Sequence, residues 1–416
     1  MRSGYKKLRP YIRQIDIRNS EGKTDNLLGV STRKVFINSI ANTVGTDFTK
    51  YKVVKRQQFT YVPDTSRRGD KIGIAMLDTH NEALVSQAYT VFEITDHGEL
   101  EPEYLMMWFR RPEFDRYARF KSHGSVREIF DWDEMCDVEL PIPTIHKQHE
   151  IVREYNTIVK RIKLNEQLNQ KLEETAQALY KRWFVDFEFP SKEQFVFSFS
   201  GYEEFGEIPN SWKVKKLKDI SVKIGSGATP KGGKGSYQIT GIPLIRSMNI
   251  FDFNFEHGNL AFLNTVQAEK LSNAAVEKND VLINITGVSV ARCCAVPKSV
   301  IPARVNQHVA IIRPKNESKF THFLMCSLCS SDYKNRLLGI SEGGSTRQAL
   351  TKTDLEECLI LVPDKQTLSN FEQIISSLFA YKNCIIEENQ LLKQSLILLL
   401  SSIVKNQSPE HNKDVA

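Results

Sequence analysis

Two long segments of the chain carry apolar residues at alternating spacings of four and three. They cover residues 146–185 and 366–405. This spacing predicts a narrow seam between two helices of a coiled coil, whereas a helix lying on a sheet has a broader apolar stripe. Helices of this length would be rods of about 60 Å. The predicted seam consists of Ile158, Ile162, Asn165, Asn169, Leu172, Ala176, Leu179 and Trp183 in the first segment, and of Ile385, Asn389, Leu392, Leu396, Leu399 and Ile403 in the second.

The two predicted helices most simply pair antiparallel, because each of them follows a globular region of the same chain. Placing Asn165 opposite Asn389 aligns them over nearly their full length. A buried Asn pair would fix that register at some cost in stability. In the alternative, both side chains lie at the solvent-exposed edge of the seam, and the sequence leaves the two interpretations open.

The second half of the chain repeats motifs of the first half at a nearly constant offset. Gly124-Ser-Val-Arg127 recurs as Gly344-Ser-Thr-Arg347. In each half a Pro at the same distance after the Arg, Pro143 or Pro363, opens the long helical segment. The stretch Tyr104-Leu-Met106 recurs as Phe323-Leu-Met325. A constant offset through several motifs indicates two copies of one structural module.

Each module begins with a loop-rich region in which short β-type runs are bounded by turn residues. Examples are Ile242–Arg246 and Val276–Gly287. With the helical segments, they predict an α/β (α+β) chain of two similar globular domains joined by two long helices that form an antiparallel coiled coil. The predicted divisions are a first domain at 1–145, a helix at 146–185, a connector at 186–206, a second domain at 207–365, a helix at 366–405 and a disordered tail at 406–416.

Positive charge is concentrated in two stretches of the chain. The net charge is only +6, but residues 1–71 hold 16 Lys and Arg against 6 Asp and Glu, and residues 211–250 hold 8 against one. Residues 72–145 have the opposite balance, 6 basic against 15 acidic. Clustered positive charge is typical of proteins that bind the phosphate backbone of nucleic acids, although solvated basic loops give the same count.

The sequence also predicts a cytoplasmic protein. Seven Cys residues without a disulfide-type spacing favour a reducing compartment. The basic N-terminal residues have no apolar stretch behind them, so no signal peptide is expected. The longest aliphatic run, Leu396–Leu400, is far too short to span a membrane.

Two segments carry partial motifs for other chemistries. Gly225–Gly235 departs from the nucleotide-binding pattern Gly-x4-Gly-Lys-Ser/Thr, because Gly233 stands where that pattern has Lys, and a flexible basic loop or a plain solvated loop is favoured. His322 and Cys326-x-x-Cys329 lack a second ligand pair at zinc spacing, which favours a buried helix. The sequence contains neither an Asn/Asp-Pro-Pro-aromatic methyltransferase motif nor a nuclease triad, so it predicts no catalytic centre and no metal site.

Short motifs in both halves carry a resemblance to one family. The second half contains, in order, Gly206-Glu-Ile-Pro-Asn-Ser-Trp212, Gly227-Ala-Thr-Pro230, Ile242–Ile250, Asp280-Val-Leu-Ile283 and Asn306-Gln-His308. The first half contains Arg18-Asn-Ser20, Leu28-Gly-Val-Ser31 and, at the end of its long helix, Ala176–Phe187. In this order the set resembles the specificity subunits of type I restriction–modification systems. The first half departs from the pattern because it lacks Gly-x-Thr-Pro.

The resemblance implies sequence-specific DNA binding without catalysis. Each globular region would be a target-recognition domain that reads one half of a bipartite site in double-stranded DNA. The helices would set the spacing and dock two modification (methyltransferase) subunits, and two restriction subunits would join the full complex. This chain would bind no cofactor, and S-adenosylmethionine, ATP and Mg²⁺ would be held by the partners. The rival interpretations are an enzyme with a degenerate motif, which would itself bind S-adenosylmethionine, and a protein-binding scaffold, which would show no salt-dependent affinity for DNA.

The candidate DNA-binding residues have basic, hydroxyl, amide or aromatic side chains; basic, hydroxyl and amide groups contact phosphates and base edges. Ser125, Arg127, Ser345 and Arg347 belong to the repeated motif, which either contacts DNA or pins the domain to its helix. Asn306-Gln-His308 is open to base reading or to a structural role. The remaining candidates are Arg33, Lys34, Arg67 and Arg68 in the first half, and Thr229, Lys231, Lys234, Tyr237, Gln238, Arg246 and Asn249 in the second.

Overall fold

The computed structural model describes residues 4–39, 45–66, 71–124, 127–315, 320–343 and 348–403. The chain divides into two compact units. Unit 1 comprises Met1–Leu164 with Glu388–Ala416, and unit 2 comprises Asn165–Glu387. Each unit therefore combines one globular region with part of each long helix. The tail predicted at 406–416 lies outside the described residues.

Unit 1 is built from short strands, short helices and segments of the long helices. Its strands are β1 (Tyr5–Lys7), β2 (Ile12–Ile15), β3 (Leu28–Val30), β4 (Phe36–Asn38), β5 (Lys52–Lys55), β6 (Phe59–Tyr61), β7 (Ile74–Met76), β8 (Glu82–Val85), β9 (Thr90–Ile94) and β10 (Glu139–Pro141). Its helices are α1 (Pro102–Phe109), α2 (Pro112–Lys121), α3 (Trp132–Cys136) and the first part of α4 (Ile145–Tyr180).

Unit 2 begins within α4 and contains the short π-helical turn Lys181–Val185 at the end of that helix. Its strands are β11 (Phe197–Phe199), β12 (Glu207–Pro209), β13 (Lys213–Lys216), β14 (Ser221–Ser226), β15 (Ile242–Ile245), β16 (Ile250–Phe251), β17 (Asn254–Phe255), β18 (Ala261–Leu263), β19 (Ala275–Val276), β20 (Val281–Asn284), β21 (Cys293–Ala295), β22 (Ala303–Val305), β23 (Val309–Pro314) and β24 (Leu359–Val362). Its helices are α5 (Leu217–Ile220), α6 (Thr265–Lys270), α7 (Thr321–Cys329), α8 (Ser331–Glu342), α9 (Lys352–Glu357) and most of α10 (Lys365–Ser402).

The two units repeat one plan. The four-stranded antiparallel sheet β2-β9-β6-β7 of unit 1 corresponds to β14-β23-β20-β21 of unit 2. After the sheet, α1, α2, α3, β10 and α4 correspond to α7, α8, α9, β24 and α10, and the offset between the partners is nearly the same each time. In both units the strand that leads into the long helix pairs antiparallel with an early strand, β1 or β13. The predicted fold class and internal repeat are confirmed.

The units differ outside this shared plan. Unit 2 has a second sheet, β18-β15-β22-β19, with its own apolar cluster around Leu244, Ile245 and Val305. In unit 1 the segments between β2 and β6 and between β7 and β9 contain the two-stranded pairs β3-β4 and β5-β8 instead. This difference lies in the part of the module that contains Gly-x-Thr-Pro in the second half and lacks it in the first. The two copies therefore share the four-stranded sheet and the helices after it, and they differ in the segments between the sheet strands.

The two long helices contact each other in antiparallel sense inside unit 2. Oε1 of Glu173 lies 2.6 Å from Nζ of Lys382, and the rings of Trp183 and Phe371 lie 5.8 Å apart. The number of residues from Asn165 to Trp183 equals the number from Phe371 to Asn389. The contact between Trp183 and Phe371 therefore fits the antiparallel register that was predicted from the two Asn residues. Both Asn side chains are buried, which argues against the solvent-edge alternative, while their pairing stays a prediction.

In unit 1, the early part of α4 and the late part of α10 also pack together. Nε of Arg161 donates to Oε1 of Glu388 over 2.9 Å, and Ile151 and Tyr155 share an apolar cluster with Ile403. The predicted seam positions are buried or half-buried throughout, namely Ile158, Ile162, Asn165, Leu172 and Leu179 on α4 and Ile385, Asn389, Leu392, Leu396 and Leu399 on α10.

Two further predictions concern buried and membrane-spanning segments. Cys326 and Cys329 lie on α7 and are buried, as the buried-helix interpretation of this motif predicted. Among the described helices, none combines the length and the apolar character that crossing a bilayer would need.

Candidate nucleic-acid interface

In unit 1 the segment that follows the Gly-Ser-x-Arg motif is held against the chain just beyond β6. The amide of Phe130 donates to the carbonyl of Pro63 over 2.9 Å, and the amide of Thr65 donates to Glu128 over 2.9 Å. These two bonds enclose a bridge between Asp64 and Ile129. The segment beside the motif is therefore fixed to the sheet.

Unit 2 repeats these contacts beyond β20. The amide of Leu350 donates to Ile285 over 2.8 Å, the amide of Gly287 donates to Gln348 over 2.9 Å, and Thr286 bridges Ala349. Each interaction joins the positions of the repeat that its counterpart in unit 1 joins. The repeated motif thus marks a structural clamp that both units build in the same place.

Of the four motif residues proposed to contact DNA, Arg127 is described and its side chain is exposed. Ser125, Ser345 and Arg347 lie outside the described residues, as do Arg67 and Arg68. The clamp supports the pinning interpretation for the flank of the motif, and the exposure of Arg127 is compatible with a DNA contact at its end.

A polar cluster stands beside the clamp in unit 2. Oγ1 of Thr286 lies 2.6 Å from Nδ1 of His308, and Nε2 of His308 lies 3.2 Å from the side-chain amide of Gln307. The hydroxyl of Thr229 donates to Oε1 of Gln307. The structure therefore brings together the Gly-x-Thr-Pro loop, the Asn-Gln-His segment and the turn after β20, and the sequence had not singled out Thr286.

Asn306 holds this cluster from within. Its side chain is buried, its Oδ1 accepts from the amide of His308 over 3.0 Å, and its carbonyl accepts from the amide of Gly227 over 3.1 Å. These bonds assign Asn306 a structural role. Gln307 is exposed, and its amide is of the kind that contacts base edges, although it is bonded to Thr229 and His308 here.

Gly227 lies where only glycine fits without displacement of the backbone. A Cβ atom at this position would stand 1.8 Å from the carbonyl oxygen of Val305 and 2.8 Å from Cβ of Ala274. The glycine of Gly-x-Thr-Pro therefore allows the basic loop to cross directly over β22.

The loop after Gly227 presents basic and aromatic side chains. Lys231, Lys234 and Gln238 are exposed, and Tyr237 is half-buried. The guanidinium of Arg246 lies 5.7 Å from the centre of the Tyr237 ring and donates to the carbonyl of Asn259. Arg246 is therefore held in place beside the loop by a cation–π contact and a hydrogen bond.

Two predicted DNA contacts are corrected by their burial. Asn249 is completely buried, where its Oδ1 accepts from the amide of Arg246 over 3.0 Å and its Nδ2 donates to the carbonyl of Glu256 over 3.0 Å. It closes a turn and has no polar group left for a base.

Lys34 is also buried, with Nζ 2.5 Å from Oδ1 of Asp115, and burial lowers the pKa of its ammonium. Arg33, next to it, is exposed.

Some of the basic side chains at 211–250 form ion pairs within the chain, and others are exposed. Lys216 and Lys218 both lie 2.5 Å from carboxylate oxygens of Glu357, and their hydrogen bonds hold the pKa of Glu357 at about 2. Lys231 and Lys234 are exposed in the same stretch. They follow Thr229 of the polar cluster closely in the sequence, so their positive charges are better placed for DNA than those of Lys216 and Lys218.

The chain is similar to known proteins of one family. A family model for the type I restriction modification DNA specificity domain matches residues 209–396. The type I restriction enzyme MjaIX specificity subunit of Methanocaldococcus jannaschii is 26% identical over 280 residues, which make up 67% of this chain and 62% of that protein. The HindI specificity subunit of Haemophilus influenzae is 23% identical over 378 residues, 78% of this chain and 81% of that protein.

A solved structure shares the fold. It is the S subunit of a type I restriction–modification system from M. genitalium, with a TM-score of 0.53 and 14% identity, and the match covers 97% of this chain and 96% of that one. The chain is therefore similar to the specificity subunits of type I restriction–modification systems, and the family model matches its residues 209–396.

Proposed function

We propose that this chain reads a bipartite target in double-stranded DNA, with one half-site contacted by the globular region of each unit. The observation that carries the proposal is the repeated clamp: in both units the same backbone hydrogen bonds hold the flank of Gly-Ser-x-Arg against the end of the second sheet strand in sequence, β6 or β20. The loops around the two clamps differ. A shared frame that carries different loops suits two readers of different half-sites.

The polar cluster and the basic loop supply the contact chemistry in unit 2. Lys231 and Lys234 are exposed point charges suited to phosphates, and Gln307 and Arg246 are suited to base edges. In unit 1 the exposed guanidiniums of Arg33 and Arg127 are the matching candidates. The base contacts made by each residue stay a prediction.

The long helices are proposed to set the distance between the half-sites. B-DNA repeats every 34–36 Å or so along its axis, so two readers at a fixed separation contact only half-sites of matching helical phase. Inserting or deleting residues in α4 and α10 is expected to change the spacer length that is recognised.

The same helices are proposed to dock two modification subunits, with two restriction subunits added in the nuclease form. Large apolar side chains on both helices face solvent, among them Leu164, Leu391 and Leu398, which are 60%, 64% and 69% exposed. Clusters of exposed apolar residues are typical of protein-binding surfaces. S-adenosylmethionine, ATP and Mg²⁺ are proposed to bind to those partners in the cytoplasm.

Selection from a random DNA pool tests the proposal. The full chain would be incubated with random duplexes of about 40 base pairs, long enough for two half-sites one or two helical turns apart. Two conserved blocks separated by unconserved positions support bipartite reading. One contiguous block overturns it, and retention of DNA without sequence preference or salt dependence favours the protein-scaffold alternative.

A further inference from the structure

A buried ammonium ties together three parts of unit 2. The side chain of Lys382, on α10, is only 2% exposed, and its Nζ lies 2.6 Å from Oε1 of Glu173 on α4. The same Nζ donates to the carbonyl oxygen of Phe253 over 2.6 Å. Phe253 belongs to neither helix. It stands in the turn of the β16-β17 hairpin of the globular region.

The hairpin turn packs against the long helix α10. Phe253 packs in the main apolar cluster of unit 2, to which both long helices contribute, and its ring is stacked 5.9 Å from the ring of Phe379. Ile250 and Phe255, at the two ends of the same hairpin, pack in the separate cluster of the second sheet. The turn therefore connects the apolar cluster of the second sheet to the apolar cluster that includes the long helices.

Two further contacts hold the turn. Its backbone amide donates to Cys293 of β21 over 2.9 Å, and Asp252 forms an ion pair with Lys334 of α8. Phe253 adopts a φ of 60°, a region that residues other than glycine rarely occupy. Strained backbone of this kind persists only where the surrounding contacts hold it in place. The hairpin turn is therefore firmly positioned.

A buried ammonium is a poor means of adding stability. Removing it from water is costly, and apolar residues of similar volume often replace buried ion pairs without loss. Its advantage is directional, because a Lys–carboxylate–carbonyl arrangement is satisfied only in one relative placement of its three groups. An apolar contact tolerates small sliding and rocking of the same elements.

We infer that Lys382 is a positioning residue, which seats the second reading domain on the two long helices and thereby narrows the range of spacer lengths accepted between the half-sites. The inference rests on the proposed function. One base pair of spacer displaces a half-site by about 3.4 Å along the axis, so a domain that rocks on its helices accepts neighbouring spacers.

The test repeats the random-duplex selection with Lys382→Met, which keeps most of the side-chain volume and removes the charge. The matched control is Arg161→Met, which removes another interhelical ion pair, Arg161 with Glu388, but an exposed one. We expect the wild-type chain and the control to select one main spacer length. In Lys382→Met the share of sequences with spacers one base pair shorter or longer is expected to rise about tenfold, with unchanged half-site sequences. The Tm is expected to fall by a few degrees, because Glu173 and the carbonyl of Phe253 lose their buried partner.

The outcomes separate this inference from the proposed function. If the wild-type chain selects a single contiguous block, bipartite reading fails. If the wild type selects two blocks and Lys382→Met keeps the wild-type spacer distribution, the positioning role is overturned. It is also overturned if Lys382→Met loses the second half-site together with a large fall in Tm, since Lys382 would then be a determinant of folding.

Discussion

Nζ of Lys34 lies 2.5 Å from Oδ1 of Asp115, and the two side chains are 6% and 10% exposed. Oδ1 of Asp115 also accepts from the amide of Ile72 over 3.1 Å, so this carboxylate joins the turn before β4 to α2 and to the segment before β7. Removing its charge leaves a buried ammonium without compensation. We expect Asp115→Asn to lower the free energy of unfolding by about 3–5 kcal/mol.

Urea unfolding measures this effect. The control is Arg116→Met, which removes the exposed pair with Glu113 and is expected to cost less than about 1 kcal/mol. A contrary result would be a Lys34→Met chain of wild-type stability that loses affinity for DNA. That would return Lys34 to the DNA-contact role predicted from the sequence.

Lys34 shows why the candidate contacts were harder to predict than the fold. Its partner lies 81 residues away, and a local count of basic residues cannot register such a partner. The same holds for Lys216 and Lys218, whose shared partner Glu357 lies in α9, far along the chain. Asn249 was selected for its amide, but hydrogen bonds within its own turn use that amide.

The large elements were predictable because their patterns are long or repeated. The seam spacing placed the helices at 146–185 and 366–405, and the structure has Ile145–Tyr180 with a π-helical turn to Val185, and Lys365–Ser402. The extra residue of a π turn changes which side chains face inward, and here Trp183 and Phe184 are both buried. A strict heptad pattern cannot anticipate that local change.

A methyl group at Gly227 is expected to displace the basic loop. In Gly227→Ala the new Cβ would overlap the carbonyl oxygen of Val305, 1.8 Å away, so either the loop or β22 must move. We expect a loss of about 1–3 kcal/mol in the free energy of unfolding, and weaker DNA binding because Thr229 would leave Gln307.

Gly225→Ala is the matched control, because a Cβ there meets no atom within 4 Å. Unfolding curves and DNA titrations of both variants are the measurements. Equal stability and equal affinity in the two variants would show that the loop does not depend on its close approach to β22.

The ion pairs of Glu357 are expected to stabilise the chain only above acidic pH. Lys216 and Lys218 hold the pKa of Glu357 at about 2, below its ordinary value of 4.5. A lowered carboxylate pKa stabilises the folded state above the ordinary value, and this contribution is lost as the pH falls from there toward the folded value. The urea midpoints of wild type and Glu357→Gln should therefore differ near neutral pH and converge in acid.

Salt provides a second check on the ion pairs of Glu357. Because the carboxylate is exposed, high ionic strength should reduce the difference in urea midpoint between wild type and Glu357→Gln. Glu356→Gln is the control, since Glu356 pairs with Lys352 instead. A gap between wild type and Glu357→Gln that stayed constant from neutral to acidic pH would contradict the assigned ion pairs.

Lys231 and Lys234 are expected to contribute affinity without sequence preference. Each Lys→Gln change should reduce the slope of log K against log salt by about 0.9 for every phosphate that the ammonium no longer neutralises, and should weaken binding to all targets alike. Lys218→Gln is the control, because its ammonium is occupied by Glu357. Titrations over a range of salt concentrations, with a selected target and a scrambled duplex, give both quantities. An unchanged slope would remove the loop from the interface, and a weakening confined to one target sequence would make these lysines base readers instead of phosphate contacts.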